Sequence, residues 1–172
     1  RVIGDPVLRT IRNFGANTLF VVAAGNDEEE FSAICDSRPS CFDLPNVISV
    51  GALGGSSKAA NLLSLPQAKG SNFGRRVHVA APGRDILSAI AGNYFGVMSG
   101  TSQATPQVAA VASLLRAANK HLSPSEVKER LIICSTSVPV STEGDLETST
   151  VVFGGHVDAT CTLQKNGWLE LK

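Results

Sequence analysis

Ser99-Gly100-Thr101-Ser102-Gln103-Ala104-Thr105-Pro106-Gln107-Val108-Ala109 is the stretch on which the fold reading turns. A strand-like run, Tyr94 to Met98, leads into it. Small residues at helical spacing lead out of it and predict a helix over Thr101 to Asn119. Pro106 is expected near the first turn, where a missing N–H costs least. A helix that starts here leaves backbone N–H groups unpaired at its positive end, a setting that favours developing negative charge. Ser102 is therefore a candidate nucleophile, and Gly100 lets the backbone approach a substrate closely. Taken alone, Ser102 reads first as a plain helix cap.

Working outward, Gly92-Asn93 is a hairpin-turn signal between Ile86–Ile90 and Tyr94–Met98. A short strand over Val77–Ala80 is ended by Pro82-Gly83. Asn46 to Leu53 reads as another strand, and Gly54 to Gly74 as an irregular surface stretch. The run Thr18-Leu-Phe-Val-Val-Ala-Ala24 predicts a strand buried on both faces, as in a parallel sheet. A short helix over Val7–Asn13 precedes it, with Gly15 expected to stop that helix through a positive φ. Downstream, Ser123-Pro124-Ser125-Glu126 has capping-box spacing and starts a helix running to about Cys134. Thr148 to Val157 reads as a strand or hairpin. Helices alternating with apolar strands predict an α/β fold with a doubly wound, mostly parallel sheet and the serine turn at its carboxyl edge.

The composition agrees with one globular domain: 172 residues, 43% hydrophobic, 17% charged. A formal net charge of zero and a pI near 7.0 give no reason to expect nucleic acid or a membrane surface as a partner. No apolar run is long enough to span a bilayer. The chain starts at Arg1 without a signal-peptide pattern, as expected of a processed or bounded segment. Four cysteines (Cys35, Cys41, Cys134, Cys161) permit two disulfides in three connectivities or buried free thiols. None has zinc spacing.

A second polar feature is Asn26, directly after the apolar run Val21-Val22-Ala23-Ala24-Gly25. It would lie at the same sheet edge as Ser102, and its amide can donate a hydrogen bond to an oxyanion. Four ordered segments then resemble the subtilisin-like serine proteases over roughly Leu19 to Ser137. They are Ala23-Ala24-Gly25-Asn26, Val47-Ile48-Ser49-Val50-Gly51-Ala52, Ala80-Ala81-Pro82-Gly83 and Ser99-Gly100-Thr101-Ser102-x-Ala104-Thr105-Pro106. Phe153-Gly154-Gly155-His156-Val157-Asp158-Ala159 is similar to the family's closing strand and helix start. The resemblance implies Ser102 as nucleophile and Asn26 as oxyanion amide, with the Ser102 N–H as a second donor. It implies Ala23, Ala24 and Gly25 as one wall of the substrate pocket, with Gly100 and Thr101 beside the serine.

The family's Asp-Ser/Thr-Gly and His-Gly-Thr-His motifs are missing, as is the Ser-Leu-Gly-type strand of the opposite wall. The expectation is a C-terminal portion of a catalytic domain over residues 1–172, with base and orienting acid on an upstream segment. Gln103 stands where the family usually has Met, and Gln107 where it has His. His78, His121 and His156 read as structural or surface residues, with a His156/Asp158 pair the remote alternative. Asp27-Glu28-Glu29-Glu30 reads as a solvated run, with calcium or basic substrates as sharper readings. Two functional readings follow. One is a serine endopeptidase acting on polypeptides, in line with the family's secreted habit. The other is a catalytically incomplete module that binds a prodomain, an inhibitor or a complementary N-terminal fragment across an exposed parallel sheet edge.

Overall fold

The computed structural model describes residues 4–31, 37–54, 70–136 and 155–164. Helix α1 (Pro6–Asn13) leads to strands β1 (Phe20–Ala23), β2 (Val47–Leu53) and β3 (Val79–Pro82). A hairpin of β4 (Ile86–Ile90) and β5 (Tyr94–Met98) follows, then helices α2 (Thr101–Ala118) and α3 (Pro124–Ile133). Strands β6 (Ser135–Thr136) and β7 (His156–Val157) and helix α4 (Ala159–Leu163) complete the described elements. The main sheet runs β1-β2-β3-β7-β6, parallel except for the β6–β7 pair. The architecture is the expected α/β one.

The seven residues of β2 are all buried. Period-2 alternation sends Ile48, Val50 and Ala52 into the core beneath α2 and α3. Val47 points the other way, into a cluster with Ile11 of α1, Phe42 and Leu44. Helix α2 meets the sheet through Ala104, Val108, Ala112 and Leu115. The alanines allow the helix backbone to lie close to the strands, so its N-terminus is set firmly against their carboxyl ends.

Several expectations change in detail. Strand β1 is half-buried along its whole length rather than enclosed on both faces, because it lies at the sheet edge. Helix α1 is capped at its start by Asp5 and ends at Phe14, and Gly15 does not adopt a positive φ. A Cβ on Gly15 would stand 3.0 Å from the Arg12 carbonyl, so close packing explains the glycine. Strand β3 begins two residues later than expected. The Ser49 N–H that would pair with backbone there goes to the His78 ring Nδ1 instead, at 2.9 Å. The end of the expected surface stretch is interior: Ser71 and Asn72 are both buried. The Ser123/Glu126 capping box is present as expected. Residues 55–69 and 148–154, which fall in the expected loop and late strand, lie outside the described residues.

Cys134 and Cys161 form a disulfide with a Cα–Cα distance of 5.4 Å, tying the end of α3 to α4. Cys41 is also disulfide-bonded and no cysteine among the described residues is free, so the free-thiol reading fails for Cys41, Cys134 and Cys161. Among the described residues no helix is long and apolar enough to cross a membrane.

Candidate active site

Three chain segments converge at the carboxyl edge of the sheet. Gly25-Asn26 leaves β1, Gly83 leaves β3, and α2 begins at Thr101. The Gly100 N–H donates to the Gly83 carbonyl at 2.7 Å. The Thr101 N–H donates to Asn26 Oδ1 at 2.9 Å, and the Thr101 hydroxyl donates to the same atom at 3.2 Å. That hydroxyl accepts from the Gly25 N–H at 3.2 Å. Because a backbone N–H can only donate, these bonds assign Oδ1 as the acceptor and leave Nδ2 as the outward donor. Among the described residues nothing accepts from Asn26 Nδ2. Gly100 makes this junction possible: its φ is +143°, and a Cβ there would stand 3.3 Å from Asn26 Oδ1.

Ser102 is the second residue of α2 and is exposed. Gly100 is the N-cap, so Ser102 does not cap the helix as its alternative reading had it. Neither its hydroxyl nor its N–H has a hydrogen-bond partner among the described residues. The hydroxyl thus stands at the positive end of an 18-residue helix, with its own N–H free to donate. This can stabilise an anion forming beside it. Pro106 is the sixth residue of α2, so the Ser102 carbonyl loses its usual helical donor. Gln107 braces this weakened turn: its Nε2 donates to the Pro82 carbonyl at 2.6 Å and the Gln103 carbonyl at 3.0 Å.

No histidine hydrogen-bonds to Ser102. The His78 ring is engaged with Ser49, and burial pushes its pKa down to about 4. His121 follows the far end of α2, about 25 Å along the axis at 1.5 Å per residue. His156 sits in β7 beside Ala80, its pKa lowered by burial. Its neighbour Asp158 is the N-cap of α4, accepting from the Cys161 N–H at 3.0 Å.

The expected pocket wall divides. Ala24 is 1% exposed and packs with Phe31 and Val77, while Ala23 and Gly25 are half-exposed. Thr101 is fully buried and faces Asn26. Asn26 lines a cleft of about 520 Å³ together with Ser71, Arg84, Asp85, Ser99 and Gly100. The acidic run Asp27–Glu30 is exposed, and Glu28 accepts from the Gly70 N–H at 2.8 Å. Among the described residues no group of three or more His, Cys, Asp or Glu could hold a metal. Sequence reasoning missed Asn72, which lies behind the Gly25-Asn26 turn. The only signal for it was an Asn in a Ser-Asn-Phe-Gly run that resembled surface loop.

The subtilase family profile matches residues 5–155. The chain is 43% identical over 131 residues to an extracellular basic protease from Dichelobacter nodosus, a match that covers 70% of this chain and 19% of that protein. A solved protease structure from Pseudoalteromonas arctica superposes with a TM-score of 0.66 at 28% identity, covering 91% of this chain and 44% of that one. The prenylagaramide maturation protease PagA superposes with a TM-score of 0.64 at 26% identity, covering 91% and 52% respectively. The chain thus spans about a fifth of that curated relative and about half of the solved structures. With the serine turn, the Asn26 contact and the parallel sheet in the arrangement described, this chain belongs to the subtilase family of serine proteases.

Proposed function

We propose that this chain supplies the nucleophile and oxyanion hole of a subtilisin-type endopeptidase that cuts polypeptides through an acyl-enzyme. The Ser102 hydroxyl attacks the scissile carbonyl carbon, and its proton passes to a histidine base. The carbonyl oxygen becomes an oxyanion that accepts from Asn26 Nδ2 and the Ser102 N–H. Collapse of the intermediate expels the amine, which takes the proton back from the histidine. Water then releases the acyl group by the same steps. One observation carries this reading: Asn26 Oδ1 is occupied by Thr101, which leaves its NH₂ group, without an acceptor among the described residues, as the donor at the helix start that bears Ser102.

The base and its orienting Asp come from a complementary segment outside residues 1–172. None of the three histidines bonds to Ser102, and β1 presents a half-exposed parallel edge that such a segment would extend. The Dichelobacter relative is an extracellular protease, and secretion fits the oxidised cysteines here. A second reading, an inactive module that binds a partner chain, is favoured by the apolar β4–β5 hairpin. There Phe95 is 77% and Tyr94 69% exposed.

A fluorophosphonate serine probe tests the proposal. Labelling of Ser102, absent in Ser102→Ala, should appear when the complementary segment is supplied and be weak or absent in this chain alone. No labelling in either form refutes the enzyme and leaves the binding module.

A further inference from the structure

Asn26 makes its own contacts to Thr101, yet its place in the fold is set by the residues on either side of it. Those residues close around one buried side chain. Asn72 is 1% exposed. Its Nδ2 donates to the Ala24 carbonyl at 3.0 Å. Its Oδ1 accepts from the Asp27 N–H at 3.0 Å and the Glu29 N–H at 2.9 Å. Its own N–H donates to the Gly25 carbonyl at 3.0 Å. The turn from Ala24 to Glu29 thus wraps an amide that meets the chain before, beside and after Asn26. Gly25 is fitted to this contact: its φ is +105°, and a Cβ there would stand 2.5 Å from Asn72 Nδ2. Asn72 is itself held beside β2, because Ser71 Oγ accepts from the Ala52 N–H and donates to the Asn72 carbonyl.

We infer that Asn72 is a positioning residue for the oxyanion donor, fixing the Gly25-Asn26 turn so that Asn26 meets Thr101 and aims Nδ2 outward. The inference rests on the oxyanion reading of Asn26 above. Asn72 touches no substrate in it and acts only through Asn26. An amide suits the task because one rigid plane supplies N–H donors, one of them used toward Ala24, and a carbonyl oxygen with two acceptor lone pairs. Asp in its place would keep the two acceptor bonds and lose the donor to Ala24. Ala would lose all three.

Two measurements test it on Asn72→Ala and Asn72→Asp. The first needs no catalysis: amide hydrogen exchange in this chain, read at Thr101 and at the β2–β3 ladder. Thr101 protection should fall by about tenfold or more in Asn72→Ala, less in Asn72→Asp, while ladder amides keep theirs. Unchanged Thr101 protection overturns the inference, as does an equal fall at Thr101 and the ladder. The second is peptide hydrolysis by the chain assembled with its complementary segment. Here kcat should fall by about 10- to 100-fold with KM within about twofold. The ceiling is the roughly 10²–10³ that losing one such donor costs, a magnitude measured on a subtilisin's own asparagine. In an Asn26→Leu background Asn72→Ala should cost nothing further, and an equal loss in both backgrounds overturns the inference. If the assembled wild-type chain neither hydrolyses peptide nor labels, the protease reading fails, and the exchange at Thr101 still decides the role of Asn72.

Discussion

Acid should weaken this fold through His78, and the effect can be sized. The ring accepts the Ser49 N–H on Nδ1 at 2.9 Å, which only the neutral imidazole can do. Burial is the main cause of its low pKa. Lys128 on α3 and Arg76 beside it also oppose a further positive charge, while Asp43 favours it. The folded pKa lies at about 4 against an ordinary 6.5. The folded chain therefore resists a proton that the unfolded chain accepts readily. The contribution to stability is complete above pH 6.5, declines as pH falls through the window, and is gone below about 4. A gap of about 2.5 at 1.36 kcal/mol each gives about 3.4 kcal/mol. Since water reaches part of the ring, about 2–3 kcal/mol is the working value. Urea unfolding of wild type and His78→Gln between pH 7 and 4 checks it. Gln can accept the same N–H without titrating, and the difference between the two curves removes the shared carboxylates. Wild type should lose about 2–3 kcal/mol more than the variant across the window. Parallel curves, or an NMR titration of His78 with a midpoint near 6.5, would refute the reasoning.

Three further outcomes are expected. Gly100→Ala must hold an unfavourable positive φ and crowd Asn26 Oδ1. It should cost at least about 1 kcal/mol in urea unfolding and reduce fluorophosphonate labelling of Ser102 in the assembled protein. Replacing Cys134 and Cys161 together by Ala opens a loop spanning 27 positions. Urea unfolding should show a loss of about 3–4 kcal/mol, and a loss below about 1 would mean that the disulfide constrains little. Ser123→Ala removes the N-cap acceptor of α3 and one partner of the reciprocal capping box. A cost of about 1 kcal/mol is expected. The Glu126 carboxyl, held below its usual range by hydrogen bonds from Ser123, should titrate higher in an NMR pH series.

Local chemistry made much of the chain legible. The capping box at Ser123, the Gly92-Asn93 hairpin and the buried run of β2 follow from interactions within a few residues, so one window of sequence contains their cause. The serine turn and Asn26 were found because their motifs are ordered along the chain. Where expectation missed, the cause lay elsewhere in the molecule. Strand β1 is half-exposed because the sheet ends there, and β3 starts late because a histidine ring takes a backbone N–H.

Sequence alone determined the fold class, the family and the pairing of Ser102 with Asn26 as residues of one sheet edge. Periodicity, turn chemistry and motif order are properties of the linear chain. Tertiary structure alone decided which atom of Asn26 faces outward and what holds it there. Its Oδ1 is taken by Thr101, 75 positions away, and the turn behind it closes on Asn72, whose bonds to Asp27 and Ala24 span 45 and 48 positions. An amide's direction depends on partners that only folding brings within hydrogen-bond distance.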